Sequence, residues 1–257
     1  MNDSPSVPQV DFAAVTKTYG PGRLILDSID LVIKKGEFVT LIGPSGCGKS
    51  TILKLISGLT APSEGIVEID GVSPAEARAT MSFVFQDPTL LPWRTVRKNV
   101  GLGLELEGVT KGGLDDRVNA ELDLVGLSHV ADSYPRELSG GMKMRTSIAR
   151  ALCTSPRLLL MDEPFAALDE MTRDRLNEEL LRLREEQQWT CVFVTHSVAE
   201  AVFLSTRIIV LAPSPGRIHA SLTIDLEGPR TASLRESEEF EEVVAYVSRR
   251  LREALTA

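Results

Sequence analysis

Phe38-Val39-Thr40-Leu41-Ile42-Gly43-Pro44-Ser45-Gly46-Cys47-Gly48-Lys49-Ser50-Thr51 is the stretch from which the fold is read. Its first five residues form a nearly continuous apolar run, which suits a central strand covered on both faces. A glycine-rich loop follows, then a helix expected over about Ser50–Ser57. Gly43 to Thr51 matches G-x-x-x-x-G-K-[ST] in the context that pattern needs, between a buried strand and a helix. There the glycines let backbone N–H groups curl around a β-phosphate, and the helix N-terminus adds positive potential. Lys49 reaches the β- and γ-phosphates and the Ser50 hydroxyl ligates Mg²⁺. A glycine-rich turn that binds nothing is the bland alternative, and a full match in the right context makes it the poorer one. The loop implies a nucleoside triphosphate and leaves the reaction open.

Working outward, Val10–Val15 reads as a strand, Tyr19-Gly20-Pro21-Gly22 as a turn, and Ile29, Leu31 and Ile33 as the inner face of a half-buried strand. Gly65–Asp70 is another strand and Met81–Phe85 a short buried one. Residues 87–136 change to helical spacing with loops, expected to be an inserted helical subdomain. Alternation then resumes: strand Leu158–Met161, helix Glu170–Glu186, strand Thr190–Thr195, helix Val198–Leu204, strand Arg207–Leu211. Such a pattern predicts an α/β domain with a largely parallel sheet. Phe240, Val243, Val244, Val247 and Leu251 share one face of a C-terminal helix, with glutamates at its start and arginines at its end. The expected organisation is a disordered 1–8, a core of 9–86 and 137–228, the insertion 87–136, and a terminal helix within 229–257.

Leu158-Leu159-Leu160-Met161-Asp162-Glu163 is an apolar strand ending in two carboxylates, whose side chains should diverge because strand residues alternate. Asp162 is placed to hold Mg²⁺, directly or through water. Glu163 is then free to polarise a water that attacks the γ-phosphorus. Without the phosphate loop, solvated acids at a strand end would be the better reading.

Composition narrows the partners. A net charge of −8 on 257 residues argues against a nucleic-acid surface, which would show a basic excess. No apolar run approaches the roughly 20 residues of a spanning helix. The start, Met1-Asn2-Asp3-Ser4-Pro5, lacks the basic and apolar stretches of a signal peptide. Cys47, Cys153 and Cys191 are odd in number and widely spaced, which fits neither a metal pattern nor a disulfide framework. A cytosolic protein is expected. His129 and His219 have no partner pattern and read as ordinary residues. Cys47 lies inside the loop at a helix N-terminus beside Lys49, both of which lower a thiol pKa, so alkylation that blocks nucleotide binding and is prevented by bound nucleotide is expected; an inert thiol is the alternative.

Leu138-Ser139-Gly140-Gly141-Met142 opens a helix over Lys143–Leu152, making a second anion-binding N-terminus. One chain does not easily bring two such loops to one γ-phosphate, whereas two chains packed head to tail do. Placed between the phosphate loop and the acidic pair, Ser139-Gly140-Gly141 resembles the signature of ATP-binding-cassette (ABC) ATPases. The resemblance covers about 9–212 and implies a P-loop nucleotide-binding domain. Its core sheet would be mostly parallel, with an antiparallel β subdomain and a helical insertion. It also implies roles. Tyr19 stacks on adenine, and Gln86 senses Mg²⁺ and the attacking water. Ala167-Leu168-Asp169 communicates across the dimer, and His196 contacts the γ-phosphate. Met142 and Met144 depart from the family, where glutamines are usual.

Phe85-Gln86-Asp87-Pro88-Thr89-Leu90-Leu91-Pro92-Trp93-Arg94, Pro164 to Arg173, and Pro213-Ser214-Pro215-Gly216-Arg217-Ile218 are similar to the importer branch that handles nitrate, sulfonates and taurine. That resemblance implies an ATP- and Mg²⁺-dependent dimer lying peripherally on the inner face of the membrane. A permease would dock near Leu90, Leu91 and Trp93, served by an extracytoplasmic substrate-binding protein. Packing of Trp93 within the helical subdomain is the alternative for that residue. A soluble ABC ATPase acting on nucleic acid or the ribosome, and an exporter subunit, are the rival functions.

Overall fold

The computed structural model describes residues 7–256 apart from 21, 110, 188, 214 and 227–229. Residues 1–6 of the expected disordered start, Pro21 of the expected turn, and Ser214 lie outside the described residues. β1 (Val10–Tyr19) and β2 (Arg23–Ile33) form an antiparallel ribbon, β3 (Phe38–Ile42) leads through the glycine loop into α1 (Lys49–Ile56), and β4 (Glu64–Ile69) rejoins the ribbon. β5 (Met81–Val84) precedes three helices, α2 (Val96–Val100), α3 (Leu102–Leu106) and α4 (Lys111–Leu124). Next come α5 (Gly140–Cys153), β6 (Leu158–Asp162), α6 (Glu170–Gln187), β7 (Thr190–Val194) and α7 (Val198–Leu204). β8 (Arg207–Leu211), β9 (Ile218–Thr223) and α8 (Glu238–Ala254) complete the chain.

Among the described residues two sheets form: an antiparallel one in the order β2-β1-β4, and a larger one in the order β5-β6-β7-β3-β8-β9 that is parallel except for β9. Every residue of β3, β6 and β7 is buried, which is why these segments read as unbroken apolar runs. Their side chains still divide by parity. Leu158, Leu160, Val192 and Val194 pack toward α1 and the antiparallel sheet, while Leu159, Met161, Cys191 and Phe193 pack toward α5, α6, α7 and α8. Phe193 sits 5.7 Å from both Phe38 and Phe165, ring centre to ring centre, tying this second core together.

Three details depart from expectation. The Met81–Phe85 strand ends at Val84 and only Val84 is buried, because β5 pairs with β6 alone and forms the sheet edge. β1 continues past Val15 to Tyr19 through irregular register, with Ala14 at φ 47°. β9 is an additional antiparallel strand, and only its Ala220 and Leu222 are buried, so its sequence has no apolar run to mark it. The C-terminal helix forms as read: Phe240 and Val247 are buried, and Val243, Val244 and Leu251 pack against the same core. α5 packs against α2, α3, α4 and β5, so the signature helix joins the helical part to the sheet.

Candidate functional site

β5, β6, β7 and β3 are consecutive neighbours in the sheet, and each delivers expected site residues at or just past its carboxyl end. These are Gln86, the Asp162–Glu163 pair, His196, and the Gly43–Lys49 loop. Ligands of open parallel sheets bind at that edge. A cleft of about 430 Å³ lies there, lined by Tyr19, Ser45, Gly46, Gly48, Lys49, Ser50, Thr51, Gln86, Glu163 and His196. Arg23 and Ile25 also line it and were not singled out from sequence; both start β2, across the ribbon from Tyr19.

Lys49 is the first residue of α1, and its buried ammonium donates to the carbonyls of Gly43 (2.8 Å) and Pro44 (3.0 Å), closing the loop on itself. Gly48 caps the helix at φ 97°, and a Cβ there would sit 2.4 Å from Leu26, so no other residue fits without displacement. Gly216 abuts the back of the loop: a Cβ on it would lie 2.0 Å from the Cys47 carbonyl oxygen. Its segment, noticed from sequence only as a branch likeness, thus supports the phosphate loop from behind.

Ser50 Oγ donates to Asp162 Oδ1 at 3.1 Å. Burial pushes the Asp162 carboxyl up from its ordinary value, and the Ser50 bond partly opposes this. A buried carboxylate, a hydroxyl and the nearby Gln86 amide are hard oxygen donors of the kind Mg²⁺ takes, so this donor set fits the ion. Glu163 does diverge from Asp162, but strand alternation is not the cause. The strand has ended, and Glu163 stands at φ 49°, a conformation that turns its carboxylate into the cleft. There His196 Nε2 lies 2.5 Å from Oε1, and Gln86 Nε2 donates to Oε2 at 3.3 Å.

Ser139 caps α5 by accepting from Met142 N–H at 3.3 Å; Ser139 and Gly140 are exposed and are not among the residues lining this chain's own cleft. Met144 is buried and Met142 packs against the core, so both departures from the family serve packing. Asp169 caps α6, accepting from Thr172 N–H at 3.0 Å, and this interaction with Thr172 holds its carboxyl below the ordinary value. Gly141 faces Leu168, whose Cδ2 would lie 3.2 Å from a Cβ at that position, so the Ser139 and Asp169 loops adjoin. Tyr19 is 40% exposed, with the Lys17 ammonium 4.8 Å from its ring centre.

Two other expectations resolve in opposite directions. Trp93 is 72% exposed, against the reading that it packs the helical part; Leu90 and Leu91 beside it are half-buried. Cys47 is buried, with Sγ 3.9 Å from Lys49 Nζ, and burial outweighs the lysine and the backbone so that its thiol is pushed up, not down. Asn99, fully buried in α2, was missed. It accepts from Leu91 N–H (2.8 Å) and donates to the carbonyls of Leu91, Arg94 and Thr95 (3.2, 3.0 and 3.0 Å), fixing the loop that presents Trp93.

The family described as "ABC transporter" matches over residues 26–166. A nitrate import ATP-binding protein of Synechocystis is 45% identical over 221 residues, covering 84% of this chain and 83% of that protein. An aliphatic sulfonates import ATP-binding protein of Bacillus cereus is 43% identical over 219 residues, covering 85% of each. Among solved structures, a dimeric post-hydrolysis state of an ATP-binding cassette bound to ADP and Pi superposes with a TM-score of 0.78 at 36% identity, covering 84% of this chain and 99% of that one.

Proposed function

Since the chain is an ATPase belonging to the ABC transporter family, we propose that it is the energising subunit of an importer for a small anion of the nitrate, sulfonate or taurine type. The observation that carries the reading is the Glu163 carboxylate, turned into the nucleotide cleft and held between His196 and Gln86.

Two copies bind two ATP molecules in their shared interface, each nucleotide lying between one chain's Lys49 loop and the other chain's Ser139 loop. The exposure of Ser139 and Gly140, and their place outside their own cleft, support that division. Tyr19 offers a face to adenine. The Gly43–Thr51 backbone and Lys49 take the phosphates. Ser50, Asp162 and Gln86 would hold Mg²⁺, which supplies charge neutralisation on the phosphate oxygens. Glu163 accepts a proton from the water that attacks the γ-phosphorus, and His196 and Gln86 orient that carboxylate. Phosphate leaves, ADP bridges the chains poorly, and the dimer opens. That difference in affinity between states is what moves a bound permease.

Trp93, exposed and fixed by Asn99 beside Leu90 and Leu91, forms the face on which a cytoplasmic helix of the permease docks. Among the described residues no helix is long and apolar enough to cross a membrane. In this reading a separate permease provides the path, fed by an extracytoplasmic binding protein. The reading is tested by purifying the chain with its bound membrane proteins, reconstituting them in vesicles, and measuring ATP-dependent uptake of labelled nitrate, sulfonate and taurine. Uptake of one supports it; ATPase activity with no uptake of any sinks the small-anion assignment.

A further inference from the structure

Arg150 stands in the last turn of α5, 11 residues from Ser139 at the other end, or about 16 Å along the helix axis. Its half-buried guanidinium reaches out of the helix to the loop that follows Gln86. Nη1 donates to the Thr89 carbonyl (2.9 Å), and Nη2 to the Pro88 carbonyl (3.0 Å) and the Thr89 hydroxyl (3.0 Å). Thr89 is β-branched yet stands at φ 48°, a conformation such residues adopt only when their surroundings impose it. The grip falls three residues after Gln86, which touches Glu163, and immediately before Leu90, Leu91 and Trp93. Asn99 pins the far side of the same loop from α2, and α2 packs on α5. The loop is therefore bound to α5 at both ends, directly through Arg150 and indirectly through Asn99.

We infer that Arg150 is a positioning residue that makes α5 a rigid strut, carrying displacement of the Ser139 end into the Leu90–Trp93 face. The inference rests on the proposed head-to-tail dimer, in which the Ser139 end meets the partner's nucleotide. A guanidinium suits the task because its planar fork satisfies several acceptors in one fixed geometry, which a flexible ammonium does not. Arg150 touches neither nucleotide nor reacting atoms; it acts on the loop.

The chain contains two tryptophans, Trp93 and the buried Trp189 at 2% exposure, so iodide quenching of its fluorescence reports on Trp93. In a Glu163→Gln background, Mg·ATP should produce a dimer by sedimentation together with a shift in the iodide quenching constant. Adding Arg150→Gln should leave the dimer and abolish the shift. Arg150→Lys, which keeps the charge and the packed stem, should lose most of the shift as well, and it serves if the glutamine variant does not fold. A full shift in either variant overturns the inference, as does a parent dimer with no shift at all. A parent that binds Mg·ATP and stays monomeric overturns the dimer reading and this inference with it, and sedimentation alone identifies that case.

Discussion

Nε2 of His196 lies 2.5 Å from Oε1 of Glu163, across the gap between the carboxyl ends of β7 and β6. With Gln86 reaching the other carboxylate oxygen from the end of β5, three adjacent strands converge on one group. The positive φ of Glu163 is the local distortion that permits this, and packing of Phe165 into the core behind it holds the turn in place. Glu163→Gln should keep ATP affinity, because Lys49, Ser50 and Asp162 are untouched. Turnover should fall by about 10²–10⁴-fold, the range for losing a general base. Phosphate release and nucleotide binding measured on the same preparation decide it. Wild-type turnover in the variant would mean that another group takes the proton.

Glu200 in α7 is buried, and burial pushes its carboxyl above the ordinary 4.5 despite help from Thr195 and Arg173. The folded chain thus holds this proton more tightly than the unfolded chain. The stability it contributes is present below 4.5 and is lost as pH rises through the raised folded value. Glu200→Gln should therefore melt higher than wild type at neutral pH, with the gap narrowing as pH falls toward 4.5. A gap that widens on acidification contradicts this.

Much of the site was legible because phosphate chemistry constrains residue type and spacing together. The Gly43–Thr51 loop, the strand ending in Asp162 and Glu163, and the Ser139 helix start are local patterns, and the fully buried strands show as apolar runs. What escaped depends on contacts between distant segments. Nothing near Cys47 in sequence announces that it is buried, with the distant Gly216 against its carbonyl oxygen. Asn99 and Arg150 look like ordinary helix residues until the loop between Gln86 and Trp93 folds against them. The turn at Glu163 is a further case, since alternation gives the right divergence for the wrong reason.

Cys47 should resist alkylation with or without ATP. Its thiol is buried and pushed up, and that of Cys153 is pushed up to about 12, so neither presents a thiolate near neutral pH. Mass spectrometry after iodoacetamide treatment of the folded chain should find little adduct, and after denaturation adduct at Cys47, Cys153 and Cys191. Rapid labelling of folded Cys47 that ATP prevents would restore the expectation drawn from sequence.

Trp93→Ala removes a side chain that is 72% exposed, so the melting midpoint should barely move, by less than about 0.5 kcal/mol in stability. ATPase activity of the isolated chain should also persist, while co-purification with the permease is lost. Unchanged co-purification would place the docking face elsewhere.

The most direct test of the shared site mixes two inactive variants. Lys49→Ala lacks a working phosphate loop, and Ser139→Arg lacks a working signature loop. In a head-to-tail dimer of one of each, one nucleotide site is defective twice and the other is whole. Neither variant should hydrolyse ATP alone, and the mixture should recover activity, up to about a quarter of the wild-type rate for random pairing in equal amounts. A mixture as inactive as its components would contradict the account, because each chain would then have to complete its own site.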